Sequence, residues 1–385
     1  MSPPTPSQSD TAAHDPEIAF LLGLPFHRMT MADTVNAAVE AVETAIPRYF
    51  VTANADFVAQ AYDNDRLREI LLHAHRAVCD GMPLIWLSRL FPPALPERVA
   101  GSDLVFELFQ QGSQRNWRFF FLGSDEATLA KTEAVLAERY PGLQVCGSFS
   151  PPFAAVEDWP NAEIAKQIQL AKPHVLLVAV GCPKQEYWIA RYASELNIPL
   201  AIGIGASLDF IAGRQVRAPR WMQKTGTEWI WRMATDPGRL MARYWKDFRY
   251  LARLSFIQWR LTRRHHIRAL DLAAQSDAAA SASKNVTHIH WVGSVEAANL
   301  SLHVLPDNPT QPLLLDLSDV SFMDSAGIGH LIKFARRCRE AAQPFALFRP
   351  SPQVQKIIAA LHLQREFSIV EDAALFPATQ TKVSK

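Results

Sequence analysis

Cysteine is scarce and scattered. Cys79, Cys146, Cys182 and Cys338 are the only four in 385 residues, with no C-x-x-C pair and no neighbouring histidine ligands. That spacing suggests neither a disulfide framework nor a zinc site, and a reducing cytoplasm suits it best. Long apolar runs are missing too. The richest stretches, Val175 to Val180 and Ile198 to Ile204, are strand-length, short of the roughly 18 apolar residues that a membrane span needs. The N-terminal MSPPTPSQSDTAAHD has no basic segment, and only a short apolar patch, Ile18 to Phe26, follows it. It reads as a disordered lead-in over 1–17 and not as a secretory signal. Any contact with a bilayer is therefore expected to be peripheral. There is no internal repeat.

An overall excess of charge is also absent, at +1, but the balance is uneven along the chain. Between Arg214 and Arg268 there are 14 Lys and Arg against three acids, Glu228, Asp236 and Asp247. Such a basic block points to an anionic partner. Five of the ten tryptophans, Trp221, Trp229, Trp231, Trp245 and Trp259, fall in the same stretch. From Asp236, an N-cap, and Pro237, in the first turn, a long basic amphipathic helix is expected, with Arg239, Arg243, Lys246, Arg249, Arg253 and Arg260 at three- to seven-residue steps. Lys and Arg attract anionic head groups at about 1 kcal/mol each and Trp favours the interface, so this mixture suits a protein lying on a membrane surface. A basic aromatic surface for nucleic acid and a plain helix with core tryptophans compete with that reading. No nucleic-acid fold signature accompanies it, and no nucleic acid is expected as partner.

The length and 49% apolar content suit two domains with real cores. From Arg48 to Gly205 short β-branched or aromatic runs alternate with helical patterns: YFVTAN, AYDNDRLREILLHAH, RFFFLG, EATLAKTEAVLAERY, HVLLVAVG, KQEYWIARYASEL, PLAIGIG. This is the α/β order of a Rossmann-like parallel sheet covered on both faces, with ligands at the carboxyl ends of its strands. An Ala/Ser tract marks a linker at 269–285, and a smaller α/β domain is expected over 286–378. Its expected strands lie near Thr287 to Trp291, Pro312 to Leu317 and Pro344 to Phe348, with helices at Ala326 to Ala341 and Pro352 to Leu361.

Two look-alikes carry little. Asp63-Asn64-Asp65 imitates a metal-binding D-x-D but stands at a helix start, where such residues cap. Gly203-Ile204-Gly205-Ala206-Ser207-Leu208 begins like a dinucleotide fingerprint yet has Leu208 where a third glycine or alanine belongs. No cofactor and no metal are expected.

Four segments remain: Val51-Thr52-Ala53-Asn54-Ala55-Asp56-Phe57, Cys79-Asp80-Gly81-Met82-Pro83, Arg98-Val99-Ala100-Gly101-Ser102-Asp103 and Gly181-Cys182-Pro183-Lys184-Gln185-Glu186. With the basic tail they resemble, over about 18–268, the WecG/TagA/CpsF family of bacterial glycosyltransferases (glycosyltransferase family 26). The resemblance implies inverting, metal-independent transfer from a UDP-sugar to a polyprenyl-diphosphate-linked saccharide in surface polysaccharide synthesis. It also implies a cytoplasmic enzyme peripheral on the inner face of the plasma membrane.

On that basis Asp80 matches the proposed catalytic aspartate, a general base for the acceptor hydroxyl, with Thr52 beside it. Asn54, Gly181, Lys184 and Gln185 become donor-side residues, the turn at Gly181 leading to helix N–H groups that can seat a diphosphate. Arg98 and Asp103 match an Arg-x-x-Gly-Ser-Asp segment that orients substrate. The basic stretch 214–268 resembles a membrane-docking appendage, with Arg217, Arg220, Arg232 and Arg239 expected at lipid head groups or the acceptor diphosphate. Plainer readings stay open: Asp80-Gly81 as a turn, Thr52 and Asn54 as a strand end, Cys182-Pro183 as a helix start with Lys184 solvated, and Arg98 with Asp103 as a surface ion pair.

In the second domain, LDLSDVSFMDSAGIG (315–329) resembles the signature of STAS domains, the fold of anti-sigma factor antagonists. Ser325 stands at their phosphorylation site, so a protein partner or kinase is a candidate there. Otherwise Asp324 or Ser325 simply caps a helix. The rival to catalysis is a regulator whose first domain senses a sugar nucleotide and whose STAS domain provides the output.

Overall fold

The structure, a computed structural model, describes residues 16–215, 217–219, 221–222, 227–263, 281–283, 286–296, 299–373 and 376. Arg220, most of the expected linker and nearly all of the expected lead-in lie outside these residues. The side chains of Arg232 and Arg239 do as well.

The chain opens on an antiparallel hairpin, β1 (Ile18–Leu21) and β2 (Leu24–His27). Leu22 and Gly23 turn it with φ of 54° and 89°, the left-handed pair that a tight two-residue hairpin needs. α1 (Met31–Thr44) follows, its capping box made by Thr30 and Asp33. Next come β3 (Arg48–Ala53), α2 (Ala55–Asp63), α3 (Asp65–His73), β4 (Arg76–Cys79), α4 (Met82–Ser88) and α5 (Gly101–Arg115). β5 (Arg118–Gly123), α6 (Glu126–Arg139), β6 (Gln144–Phe149), α7 (Asn161–Ala171), β7 (Val175–Ala179), α8 (Lys184–Tyr192), β8 (Leu200–Gly203) and α9 (Ser207–Ile211) complete the sheet and its layers.

The six strands are all parallel in the order β4-β3-β8-β7-β5-β6. Side chains alternate across the sheet, and each face is covered. Phe119 and Phe121 of β5 pack with Leu104, Leu108 and Phe109 of α5. Phe120 and Leu122 pack with Ile164, Ile168 and Trp188 on the opposite face. The helix expected over Ala61 to His75 is in fact divided at Asn64. This residue is extended (φ −129°, ψ 95°), and its side chain accepts from Leu67 N–H at 3.0 Å. Asn competes well as a cap and poorly inside a helix.

Beyond the sheet lie α10 (Glu228–Thr235) and α11 (Pro237–Arg263). α11 begins at Pro237 as expected, but it is more than a basic helix with one apolar side. Leu240, Asp247, Leu251, Leu254 and Gln258 are buried, while Met241, Trp245, Phe248, Phe256 and Trp259 form a second, exposed stripe.

The small domain comprises β9 (Ser281–Ser283), β10 (Val286–Val295), β11 (Leu313–Met323), α12 (Ser325–Glu340), β12 (Phe345–Phe348), α13 (Pro352–Ala360) and β13 (Ser368–Val370). Its sheet runs β13-β12-β11-β10-β9, parallel except for β9. β9 falls inside the stretch expected to be linker. The two domains meet at the opening hairpin. Ala19 and Leu21 of β1 join the core of the first domain. Phe20, pointing the other way, joins the core of the second together with Leu72 of α3.

Candidate functional site

The carboxyl ends of β3, β4, β7 and β8 open on one cavity of about 590 Å³. Thr52, Asn54, Asp80, Gly181, Gln185, Gly203 and Gly205 line it. A second compartment of about 250 Å³ lies against α11, lined by Arg98, Tyr244, Asp247, Phe248 and Leu251. Asn54, Asp56, Asp80, Ser102 and Arg243 line both. Asp80 therefore stands on a shared wall between two spaces of different character.

Asp80 follows β4 directly, its backbone N–H tied to Ala53 O at 2.9 Å. Its Oδ2 accepts from Gly101 N–H at 3.1 Å, at the start of α5. A Cβ at Gly101 would stand 2.8 Å from Thr52 Oγ1, so glycine lets α5 approach Asp80 and Thr52 together. Asn54 uses its Oδ1 to cap α2, accepting from Asp56 N–H (3.0 Å) and Phe57 N–H (3.3 Å), and keeps its amide N–H groups to offer a ligand.

In the larger compartment Gln185 is buried, its Oε1 accepting from Gly205 N–H at 3.0 Å and its Nε2 donating to Glu186 Oε1 at 2.7 Å. A Cβ at Gly203 would lie 2.4 Å from Gln185 Nε2, so glycine is required there for this packing. Burial pushes Glu186 up to about 7, and its Oε2 has no hydrogen-bond partner. Gly181, with φ +80°, turns the chain into α8 and leaves open space where a side chain would stand.

Three expected site residues stand elsewhere. Lys184 donates to Ala154 O at 2.8 Å and lies over the Phe153 ring, lining neither compartment. Asp103 lines neither compartment and pairs with Arg98 (3.5 Å) and Arg217 (2.5 Å). Arg217 also donates to Ser102 Oγ at 2.9 Å, so it fastens the appendage to α5. Arg98 completes the network by pairing with Glu228 of α10 at 3.2 Å while lining the smaller compartment. The Asp63-Asn64-Asp65 look-alike is spent structurally: Asp63 accepts from Tyr250, Asn64 caps α3, and Asp65 pairs with Arg68 at 2.8 Å. Among the described residues no group of three His, Cys, Asp or Glu side chains is placed to hold a metal ion.

Asp56, Arg243, Tyr244 and Asp247 also line these compartments, although nothing in the sequence had assigned them a role in a site there. Asp247 is the most unusual of them. Burial, with Asp56 adding to it, pushes its carboxyl up to about 7, and neither oxygen has a hydrogen-bond partner. The available signal was its place as an isolated acid within a basic helix.

The model of the glycosyl transferase WecG/TagA/CpsF family matches residues 19–266, and that of the STAS domain matches residues 258–380. Among curated relatives, an N-acetylglucosaminyldiphosphoundecaprenol N-acetyl-beta-D-mannosaminyltransferase of Bacillus spizizenii is 31% identical over 191 residues, covering 50% of this chain and 72% of the relative. A protein of the same name from Staphylococcus aureus is 28% identical over 235 residues, covering 60% of this chain and 89% of the relative.

Proposed function

Because the chain belongs to the WecG/TagA/CpsF family of glycosyltransferases, we propose that it moves a sugar from a UDP-linked donor in the larger compartment to a polyprenyl-diphosphate-linked saccharide in the smaller one. The transfer proceeds with inversion and without a resident metal. The acceptor hydroxyl oxygen attacks the anomeric carbon, the bond from that carbon to the diphosphate oxygen breaks, and UDP departs with the electron pair. Asp80 takes the hydroxyl proton. The observation that carries this reading is the position of Asp80 on the wall common to both compartments.

Donor recognition falls to Gln185, Gly181 and Asn54, with Thr52 beside Asp80. Arg98 and Arg243 supply positive charge to an acceptor diphosphate, and the apolar lining from Phe248 and Leu251 suits the start of a prenyl chain. The relatives' names specify a diphosphoundecaprenol-linked acceptor, which fits this division. No described helix is long and apolar enough to cross a membrane. We place the protein peripherally on the inner face of the plasma membrane, lying on the exposed stripe of α11 with its flanking arginines. The STAS domain regulates or docks. Ser325 is buried and accepts from Gln258 Nε2 at 2.7 Å, so a kinase reaches it only when the domains part.

Asp80→Asn is expected to lower turnover about 10²- to 10⁴-fold, the range for loss of a general base, with UDP affinity held. A donor screen with a short-chain polyprenyl-diphosphate sugar is the assay. Undiminished turnover removes the assignment of Asp80, and UDP binding without turnover in the parent protein favours the sensory alternative.

A further inference from the structure

We infer that the α12 face carrying Ser325, Gly329 and Arg336 is a docking surface whose partner is the first domain of the same chain, and that this contact holds α11 against the smaller compartment.

The contact is built like a domain interior. Phe20 and Leu72 are each less than 5% exposed and belong to the hydrophobic core of the small domain. Gly329 brings α12 so close to β1 that a Cβ there would stand 2.4 Å from Ile18 O. Arg336 donates to Leu72 O (3.2 Å) and His75 O (3.4 Å), and its Nη1 lies 3.0 Å from His27 Nε2.

Gln258 of α11 joins the three parts. Its Nε2 donates to Ser325 Oγ at 2.7 Å and to Phe20 O at 3.3 Å, and its Oε1 accepts from Leu22 N–H at 2.8 Å. It is 5% exposed, so each of these bonds replaces one to water, and losing a partner strands a buried polar group. Gln258 is two helical turns beyond Leu251, about 10 Å along the same helix. Leu251, Phe248, Asp247 and Tyr244 line the smaller compartment from that helix.

Asp247 supplies the reason a fixed point is needed. A buried carboxyl without hydrogen-bond partners is unfavourable, and lifting α11 from α2 would hydrate it. The clamp at Gln258 opposes that lift. The effect on the acceptor rests on the function proposed above; the docking itself does not.

The test uses the full chain carrying Gly329→Leu. All three atoms nearest to a Cβ at this position belong to Ile18 of the first domain, and Leu is a better helix former than Gly, so the wedge acts on the contact and not on α12. Backbone amide exchange in 18–27 and 240–258 is expected to rise about tenfold or more, by the local opening that loss of a packed contact permits. KM for the lipid-linked acceptor is expected to rise about fivefold or more, the lower end of ordinary coupling between sites, with UDP affinity unchanged. Unaltered exchange in both segments overturns the docking. Faster exchange in 18–27 with no change in 240–258 overturns the link to α11. Should the wedge loosen 286–370 as a whole, Ser325→Ala, which adds no bulk, carries the test through the same two segments. A parent protein without turnover on any lipid-linked acceptor defeats the acceptor assignment, while exchange at 240–258 still decides the clamp.

Discussion

At the scale of single residues, the site depends on side chains that hold other side chains. Glu186 touches no compartment wall, yet it receives Gln185 Nε2 at 2.7 Å and so fixes which face Gln185 turns to the cavity. Glu186→Ala frees that amide and is expected to raise KM for the donor about tenfold, the lower range for losing a supporting contact, with Glu186→Gln close to the parent. Steady-state kinetics with varied UDP-sugar reads the difference. Equal effects of the two substitutions would mean that neither packing nor the hydrogen bond, both of which Gln retains, is what Glu186 provides. Lys184 teaches the opposite lesson. A lysine at the start of a helix after a glycine turn suggests phosphate, but the Ala154 carbonyl and the Phe153 ring, some thirty residues away in sequence, capture it.

Among elements, α11 does two jobs on two faces. One face seals the smaller compartment and the other exposes Met241, Trp245, Phe256 and Trp259, with Trp245 64% exposed and Phe248 at the border, lining the compartment mouth and reaching solvent. Replacing Trp245 and Phe248 together by serine is expected to weaken sedimentation with anionic vesicles about tenfold, since each large side chain contributes about 1.5–3 kcal/mol on full burial and only part is buried at an interface. Unchanged sedimentation would assign the stripe to something other than lipid. The parallel strands β3, β5, β7 and β8 were legible because each is a short β-branched or aromatic run ending in a small or polar loop. β4, Arg-Ala-Val-Cys, opens on a charged residue and has one β-branched side chain, and β6 is a half-buried edge strand with a glycine. Thr52, Asn54, Gly181 and Gln185 could be picked out because they end or follow such strands, whereas Asp80 follows β4 and was marked only by the segment Cys79-Asp80-Gly81-Met82-Pro83 and its family resemblance. Asp247 was not, because an acid on a basic helix looks solvated until α2 is laid over it.

For the molecule as a whole, buried titratable groups set a pH window. Glu186 and Asp247 are pushed up to about 7 from ordinary carboxyl values near 4, burial being the main cause in each. Their protonated forms favour the folded state, so this stability is complete below the unfolded carboxyl range and is lost as pH rises through about 7. His27 acts in the other direction. Burial, with Arg336 beside it, holds it well below its usual value, so its contribution is present above about 6.5 and lost as pH falls. Asp247→Asn removes one titration, and thermal unfolding between pH 5 and 8 is expected to show a shallower alkaline decline than the parent. A parallel decline would show that Asp247 does not titrate in this range.

The opening hairpin also bears on the order in which the chain is finished. The first domain leaves the ribosome ahead of the second, with Phe20 and Leu72 uncovered on a surface that only the later domain can close. One flank of the newborn first domain is therefore adhesive until the small domain arrives, and the fused domain acts as a shield during synthesis before it can act as anything else.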